Sequence, residues 1–204
     1  MLLRAALVLS LTAPACAGFI IGDGDFTAWS FGSFGTATPT VLATGGNPGS
    51  RLQVTTVSGS GSGVLAIHQG FSTDAALEGL SYGWSLDVLK GAGSFGQGQA
   101  IGLLIQQGTS IFLDFQYNTG VQSSWTTQEF AGELRAANFV RVSGTGTLDL
   151  SGGVETRFGF SASNANSGTL TQYYDNWAMD LGGVPAPGAL ALLAVAGMLS
   201  RRSR

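Results

Sequence analysis

The run Tyr82-Gly83-Trp84-Ser85-Leu86-Asp87-Val88 alternates large apolar residues with small or polar ones without a break. A period of two places Tyr82, Trp84, Leu86 and Val88 on one side of an extended chain and Gly83, Ser85 and Asp87 on the other. That is a β-strand with one face in a core and one in water. The pattern recurs on both sides of it. Leu52, Val54 and Thr56 alternate with Gln53 and Thr55, and Phe158 and Phe160 flank Gly159. Ile111, Leu113, Phe115 and Tyr117 alternate with Asp114 and Gln116, which assigns the apolar set to the core. Tyr173, Trp177, Met179 and Leu181 share a parity against Tyr174, Asn176 and Asp180. The more continuously apolar Ile101–Gln106 reads as a central strand.

Turn chemistry divides these runs: Gly45-Gly46-Asn47-Pro48-Gly49, residues 58–63, 91–98, Asn118-Thr119-Gly120, 144–146 and 163–168. Only Phe130, Leu134 and Ala137, within 129–138, fit a helical period, and Gly132 interrupts them, so a short helical turn on a loop is expected there. Many short strands with no long helix between them predict an all-β fold, an antiparallel β-sandwich or jelly roll.

The two ends stand apart from this body. Met1 and Arg4 precede an apolar run, Ala5–Leu11, and Pro14-Ala15-Cys16-Ala17 puts small residues before a cut at Gly18. Residues 1–17 therefore read as a secretory signal peptide. A lipoprotein signal with Cys16 lipidated is the alternative, and Ala13-Pro14-Ala15 lacks the Leu such a signal usually carries. Cys16 is the only cysteine of the 204 residues, so the folded body has no disulfide, no thiolate zinc site and no Cys nucleophile.

Residues 184–204 run Val184-Pro185-Ala186-Pro187-Gly188, then an apolar stretch Ala189–Leu199, then Ser200-Arg201-Arg202-Ser203-Arg204. As a helix, Val184–Leu199 would span roughly 24 Å, short of a hydrocarbon core of ~30 Å. The arginines would stay on the cytoplasmic side and leave the body outside the membrane. With Pro185, Pro187, Arg201 and Arg202 in that order, the segment resembles the PEP-CTERM sorting tag of bacterial exported proteins. The resemblance implies an exosortase-like processing enzyme as a partner, a membrane stage through the tag, and delivery to the cell surface or extracellular matrix. Ala186 stands where that tag carries Glu.

Between the ends, residues 18–183 form one domain. Its five basic residues, Arg51, Lys90, Arg135, Arg141 and Arg157, face all twelve acids, a net charge of −7. Such a body repels phosphate backbones, and nucleic acid is excluded as a partner. Glycine is 32 of 204 residues without a triplet period, which excludes collagen.

Two chemical motifs fail their context. Gly91-Ala92-Gly93-Ser94-Phe95-Gly96 has dinucleotide-site spacing, but a strand-like run follows it instead of the helix whose N-terminus would receive the phosphates. Gly79-Leu80-Ser81-Tyr82-Gly83 matches a nucleophile elbow, yet Ser81 lies in a strand pattern and the only histidine, His68, is upstream.

Asp23-Gly24-Asp25-Phe26 opens the body, and Tyr173-Tyr174-Asp175-Asn176-Trp177 closes it. In a sandwich whose first and last strands are neighbours, these acids meet. Asp175 shares the parity of Tyr173 and Trp177, and a carboxylate pointing that way needs a pair, hydrogen bonds or a metal. Oxygen donors without Cys or His suit Ca²⁺. Alternatively Asp23 and Asp25 make a turn and Asp175 takes backbone N–H groups.

This pair of ends resembles jelly-roll carbohydrate-binding modules of the galactose-binding-like kind. The resemblance implies a structural calcium on Asp23, Asp25 and Asp175, and sugar rings stacked on exposed aromatics. Trp125, bracketed by polar residues, and Tyr174, opposite in parity to Trp177, are the candidates for that stacking, while Trp84 and Trp177 belong to the core. Trp125 capping the core at a strand end is the competing assignment.

The sequence thus presents an exported, non-enzymatic surface or matrix protein with a structural or adhesive β-sandwich. The alternative is a carbohydrate-binding module for extracellular polysaccharide. An extracellular hydrolase or lyase, which needs converging ionisable groups, comes third.

Overall fold

The structure, a computed structural model, describes residues 19–57, 61–94, 99–117, 123–165 and 168–182. The signal, Cys16 and residues 184–204 lie outside them. Among the described residues no helix is long and apolar enough to cross a membrane.

Among the described residues, twelve strands form two antiparallel sheets packed face to face. Sheet I runs in the order β3 (Thr38–Gly46), β4 (Gly49–Val57), β12 (Thr169–Gly182), β6 (Ser81–Lys90), β9 (Thr126–Glu133), with β1 (Phe19–Asp23) pairing the C-terminal half of β12. Sheet II runs β10 (Val140–Ser143), β8 (Ser110–Tyr117), β7 (Gln99–Gln107), β11 (Thr156–Asn164), β5 (Ser62–His68), β2 (Trp29–Phe34). This is the expected antiparallel sandwich of jelly-roll type.

The core between the sheets is made by alternate residues. Leu52, Val54, Trp84, Leu86, Val88 and Trp177 come from sheet I, and Ile101, Leu103, Ile105, Phe158 and Phe160 from sheet II, all 3% exposed or less. Each fully buried side chain of this size contributes about 1.5–3 kcal/mol. Ile101–Ile105 lies in β7, paired on both sides, and so is a central strand as the sequence predicts.

Three expectations change. Residues 129–133 belong to β9, and only Ala136–Asn138 forms a single 3₁₀ turn, because Gln128 and Phe130 pair with Leu86 and Trp84 as a strand. In β8 the predicted faces are reversed. Phe112 joins the core and Asp114 reaches the Tyr82 hydroxyl of the opposite sheet, while Ile111 and Leu113 pack on the outer side against Ile67, Leu104 and Leu65.

In β12 a bulge falls between Asp175 and Ala178. Asn176 sits at φ +48°, a left-handed conformation that asparagine tolerates better than most residues. The extra residue swaps faces, so Leu170, Gln172 and Tyr174 point inward before it and Trp177, Met179 and Leu181 after it. Tyr174 is 2% exposed, not on the surface, and cannot stack on a sugar. Burial raises the pKa of its hydroxyl, which donates to Gln172 Oε1.

Candidate functional site

The ends of the body do meet. Phe19 pairs with Leu181 and Asp23 with Trp177, and a methyl group on Gly24 would stand 3.6 Å from Asp175 Oδ1. The three nominated carboxylates nevertheless face different partners. Asp23 Oδ1 accepts the Asp25 N–H at 2.9 Å, and Oδ2 accepts the Trp29 indole N–H at 2.9 Å. Asp25 Oδ1 accepts both the N–H and the hydroxyl of Thr27, which hold its carboxyl below the ordinary value.

Asp175, fully buried, accepts the N–H of Asn176 at 2.8 Å on Oδ1 and the N–H of Asn47 on Oδ2. Burial pushes its carboxyl up, those two N–H donors pull it down, and the nearby Asp87 charge adds a further upward push. Asp87, its partner across β12 and β6, accepts from Thr127 Oγ1 at 2.6 Å, Asn47 Nδ2 at 3.0 Å and Asn176 Nδ2 at 2.9 Å. Amide, indole and hydroxyl donors thus take both oxygens of Asp23, Asp175 and Asp87 and one of Asp25. Among the described residues no group of three His, Cys, Asp or Glu is placed to hold a metal. The arrangement does not fit a calcium shared by Asp23, Asp25 and Asp175.

His68, the last residue of β5, stands with Nε2 3.3 Å from Asp23 Oδ2. Trp29 meets its ring edge-on at 5.2 Å and Trp177 stacks at 6.1 Å. The histidine is a buried link between the two sheets.

Trp125 is half-buried and immediately precedes β9, the outer strand of sheet I.

The outward face of sheet II has a different character. One row across its strands reads Phe115, Gly102, Ser161, Leu65, Gly32, and the next includes Ala100, Ser163, Gly63 and Phe34. In the first row Phe115 stands at the β8 end, and Leu65 interrupts the small residues Gly102, Ser161 and Gly32. In the second Phe34 stands at the β2 end beside Gly63, Ser163 and Ala100. Phe115 on β8 is 52% exposed and Phe34 on β2 is 40% exposed. The Phe34 ring lies over Gly63, where a methyl group would stand 2.6 Å from its Cζ. Beside these rows Leu113, Leu104 and Ile67 form a small buried cluster with Leu65 and Ile111 packed on it.

The result is a shallow trough with a floor mostly of glycine, alanine and serine, crossed by Leu65 on β5. From β8 to β2 it crosses four strand spacings, roughly 19 Å. Sequence reading missed both aromatics because it assigned the Phe115 parity to the core and gave Phe34 no weight. The glycines opposite them in register, Gly102 and Gly63, carry the signal, but only once the pairing is known.

A two-sheet antiparallel jelly roll with an aromatic-ended trough on one outer face is the class of protein these observations define. No sequence-family model matches the chain, and no curated protein sequence is similar to it. Among solved structures, it is similar to a family 11 carbohydrate-binding module from Clostridium thermocellum in complex with a β-1,3-1,4-mixed-linked tetrasaccharide. That match has 17% identity and a TM-score of 0.49, and covers 81% of this chain and 96% of that one. It is also similar to a family 30 carbohydrate-binding module of a cellulosomal cellulase of the same organism, with 14% identity, 78% and 96% coverage, and a TM-score of 0.49. A third is the CBM22-1 xylan-binding domain of Xyn10C from Paenibacillus barcinonensis, with 13% identity, 82% and 98% coverage, and a TM-score of 0.47.

Proposed function

We propose that this protein is an exported, non-catalytic carbohydrate-binding module that holds a polysaccharide across the outer face of sheet II. The observation that supports this reading is the trough itself. Phe115 and Phe34 offer exposed ring faces at its ends, on which the C–H faces of sugar rings pack. Ser163 on the floor, half-buried, offers a hydroxyl to the sugar edges. The short side chains of Ala100, Gly102 and Gly63 let a chain lie close to the sheet.

Export and a surface or matrix location rest on the two ends of the sequence, with an exosortase-like enzyme acting on residues 184–204. Calcium has no part in this reading, because the carboxylates nominated for it already have protein donors.

The test is retention of the purified full chain on insoluble β-glucan, cellulose and xylan, alongside a Phe34→Ala/Phe115→Ala variant. Retention on at least one polymer that the double variant loses supports the reading. No retention on any polymer, or equal retention by both proteins, overturns it. Deleting residues 184–204 tests export separately, with release of a soluble secreted body as the expected result.

A further inference from the structure

At the edge of sheet II a cavity of about 410 Å³ is lined by Phe112, Phe139, Leu148, Ala136 and Arg141 among others. It lies beside the segment that crosses from β9 in one sheet to β10 in the other, away from the trough.

Both of its walls are fixed by the protein. The 144–148 loop is pinned at one end by Ser110, whose Oγ accepts the Thr145 N–H at 3.1 Å, and at the other by Gln107, whose Oε1 accepts the Asp149 N–H at 3.0 Å. The opposite wall is the 3₁₀ turn, where the Ala136 N–H donates to Glu78 Oε2 at 2.9 Å and the Phe139 N–H to Ala136 O at 3.2 Å. Phe112, 3% exposed, makes the floor. A pocket held in this way costs little ordering when something enters it.

Its cation is the unusual part. Arg135 and Arg157 are paired with Glu133 and Glu155 at 2.6 and 2.7 Å, and Arg51 lies 3.8 Å over the Tyr173 ring. Among the described arginines, Arg141 alone has neither a carboxylate nor a ring partner; its Nη1 donates to the Gly146 carbonyl. Its remaining N–H donors match the fork of a carboxylate. The apolar walls do not suit a bare inorganic ion, and the volume falls near the small end of ligand pockets, enough for one ring rather than a polymer. The body carries a net charge of −7, so diffuse electrostatics repel anions and an acid held here is held by this local geometry.

We propose that this cavity binds a small carboxylate carried on a six-membered ring, with Arg141 taking the carboxylate and Phe139 and Leu148 taking the ring. The proposal is independent of the trough.

The test is titration of the full chain with D-glucuronate, benzoate and D-glucose, followed by nuclear magnetic resonance of the Arg141 side chain and the Thr147 and Leu148 amides. Saturable shifts with at least one of the two acids and none with glucose are expected, and the tighter acid shows whether a sugar acid or an apolar acid is the source. Arg141→Gln weakens binding about tenfold or more, the effect of losing hydrogen bonds to a charged group. Leu148→Trp fills the cavity and abolishes binding with Arg141 intact. Shifts with glucose equal to those with the acids, no shifts with either acid, or undiminished binding by both variants would each overturn the proposal.

Discussion

Asp23 on β1 and His68 on β5 meet at 3.3 Å across the gap between the two sheets, and the same carboxylate oxygen accepts the Trp29 indole N–H at 2.9 Å. One side chain therefore ties the first strand of sheet I to two strands of sheet II. The His68 Nδ1 is buried without a partner among the described residues. Asp23→Ala would leave both ring nitrogens and the indole N–H buried and unpaired. The expected loss is roughly 2–4 kcal/mol in urea unfolding. Asp25→Ala, two residues away on the surface, removes only a turn contact to Thr27 and is expected to cost much less. Equal losses for the two variants would contradict the link.

The inward Asp114 makes stability depend on pH. Burial raises its carboxyl above the ordinary 3.8, against the lowering effect of its bonds with Gln116 and Tyr82. Burial and the Asp114 charge push the Tyr82 hydroxyl up to about 12. Between the ordinary carboxyl value and the raised one, the folded protein binds more protons than the unfolded chain. Stability from this group therefore falls as pH rises through that window and stays lower above it. Asp114→Asn removes the charge, and the amide oxygen can still accept from Tyr82. The expected result is a higher melting temperature at pH 7, with the gain shrinking as pH falls through that window. A gain that grows on acidification would refute the assignment.

Alternation marked Tyr82–Val88 and Leu52–Thr56 correctly because their apolar faces are the ones that meet the opposite sheet. It misdirected β8 because a period of two defines two faces without saying which one is covered. There the polar set turns inward, where Asp114 and Gln116 share the Tyr82 hydroxyl. It misdirected Tyr174 because a single extra residue at Asn176 exchanges faces, and no glycine or proline marks that position. The trough was out of reach for another reason. Phe34 and Phe115 share a face only through the pairing of β2, β5, β11, β7 and β8, and that register is non-local.

The centre of sheet II should tolerate no side chain at Gly159. A methyl group there would lie 1.9 Å from the Ala66 carbonyl oxygen and 2.9 Å from Ile67 Cα, both backbone atoms that cannot swing aside. Gly159→Ala is expected to cost about 3 kcal/mol or more, or to leave the protein insoluble. Gly49→Ala adds a methyl with nothing within 4 Å, so its cost is limited to backbone strain at φ +100°. A folded, undiminished Gly159→Ala variant would show that the β5–β11 pairing differs from the one described.

Chelation separates the hydrogen-bonded arrangement of the carboxylates from a metal-bound one. Because Asn47, Asn176 and Thr127 satisfy Asp175 and Asp87, EDTA should leave the melting temperature unchanged, and added Ca²⁺ should not raise it. Asn176→Ala, which removes donors to Asp87 and to the Asn47 carbonyl, should lower it instead. A fall of several degrees on chelation would mean that a cation bridges these acids.

The two aromatic sites nominated by sequence and by structure lie on different sheets, so paired substitutions can decide between them. Phe115 is half-exposed at the end of the trough on sheet II, while Trp125 precedes β9 at the edge of sheet I. Neither face of Phe115 is needed by the core, so Phe115→Ala should leave the melting temperature nearly unchanged. A lost ring of this kind costs about 1–1.5 kcal/mol where it stacks, which weakens polysaccharide retention by roughly tenfold. Ser163→Trp, which fills the half-buried floor position between Ala100 and Gly63, should block the chain altogether. Trp125→Ala should leave retention as it was. If Trp125→Ala abolished retention while Phe115→Ala preserved it, the polysaccharide would lie along the edge of sheet I, and the trough would be a bare face with no sugar on it.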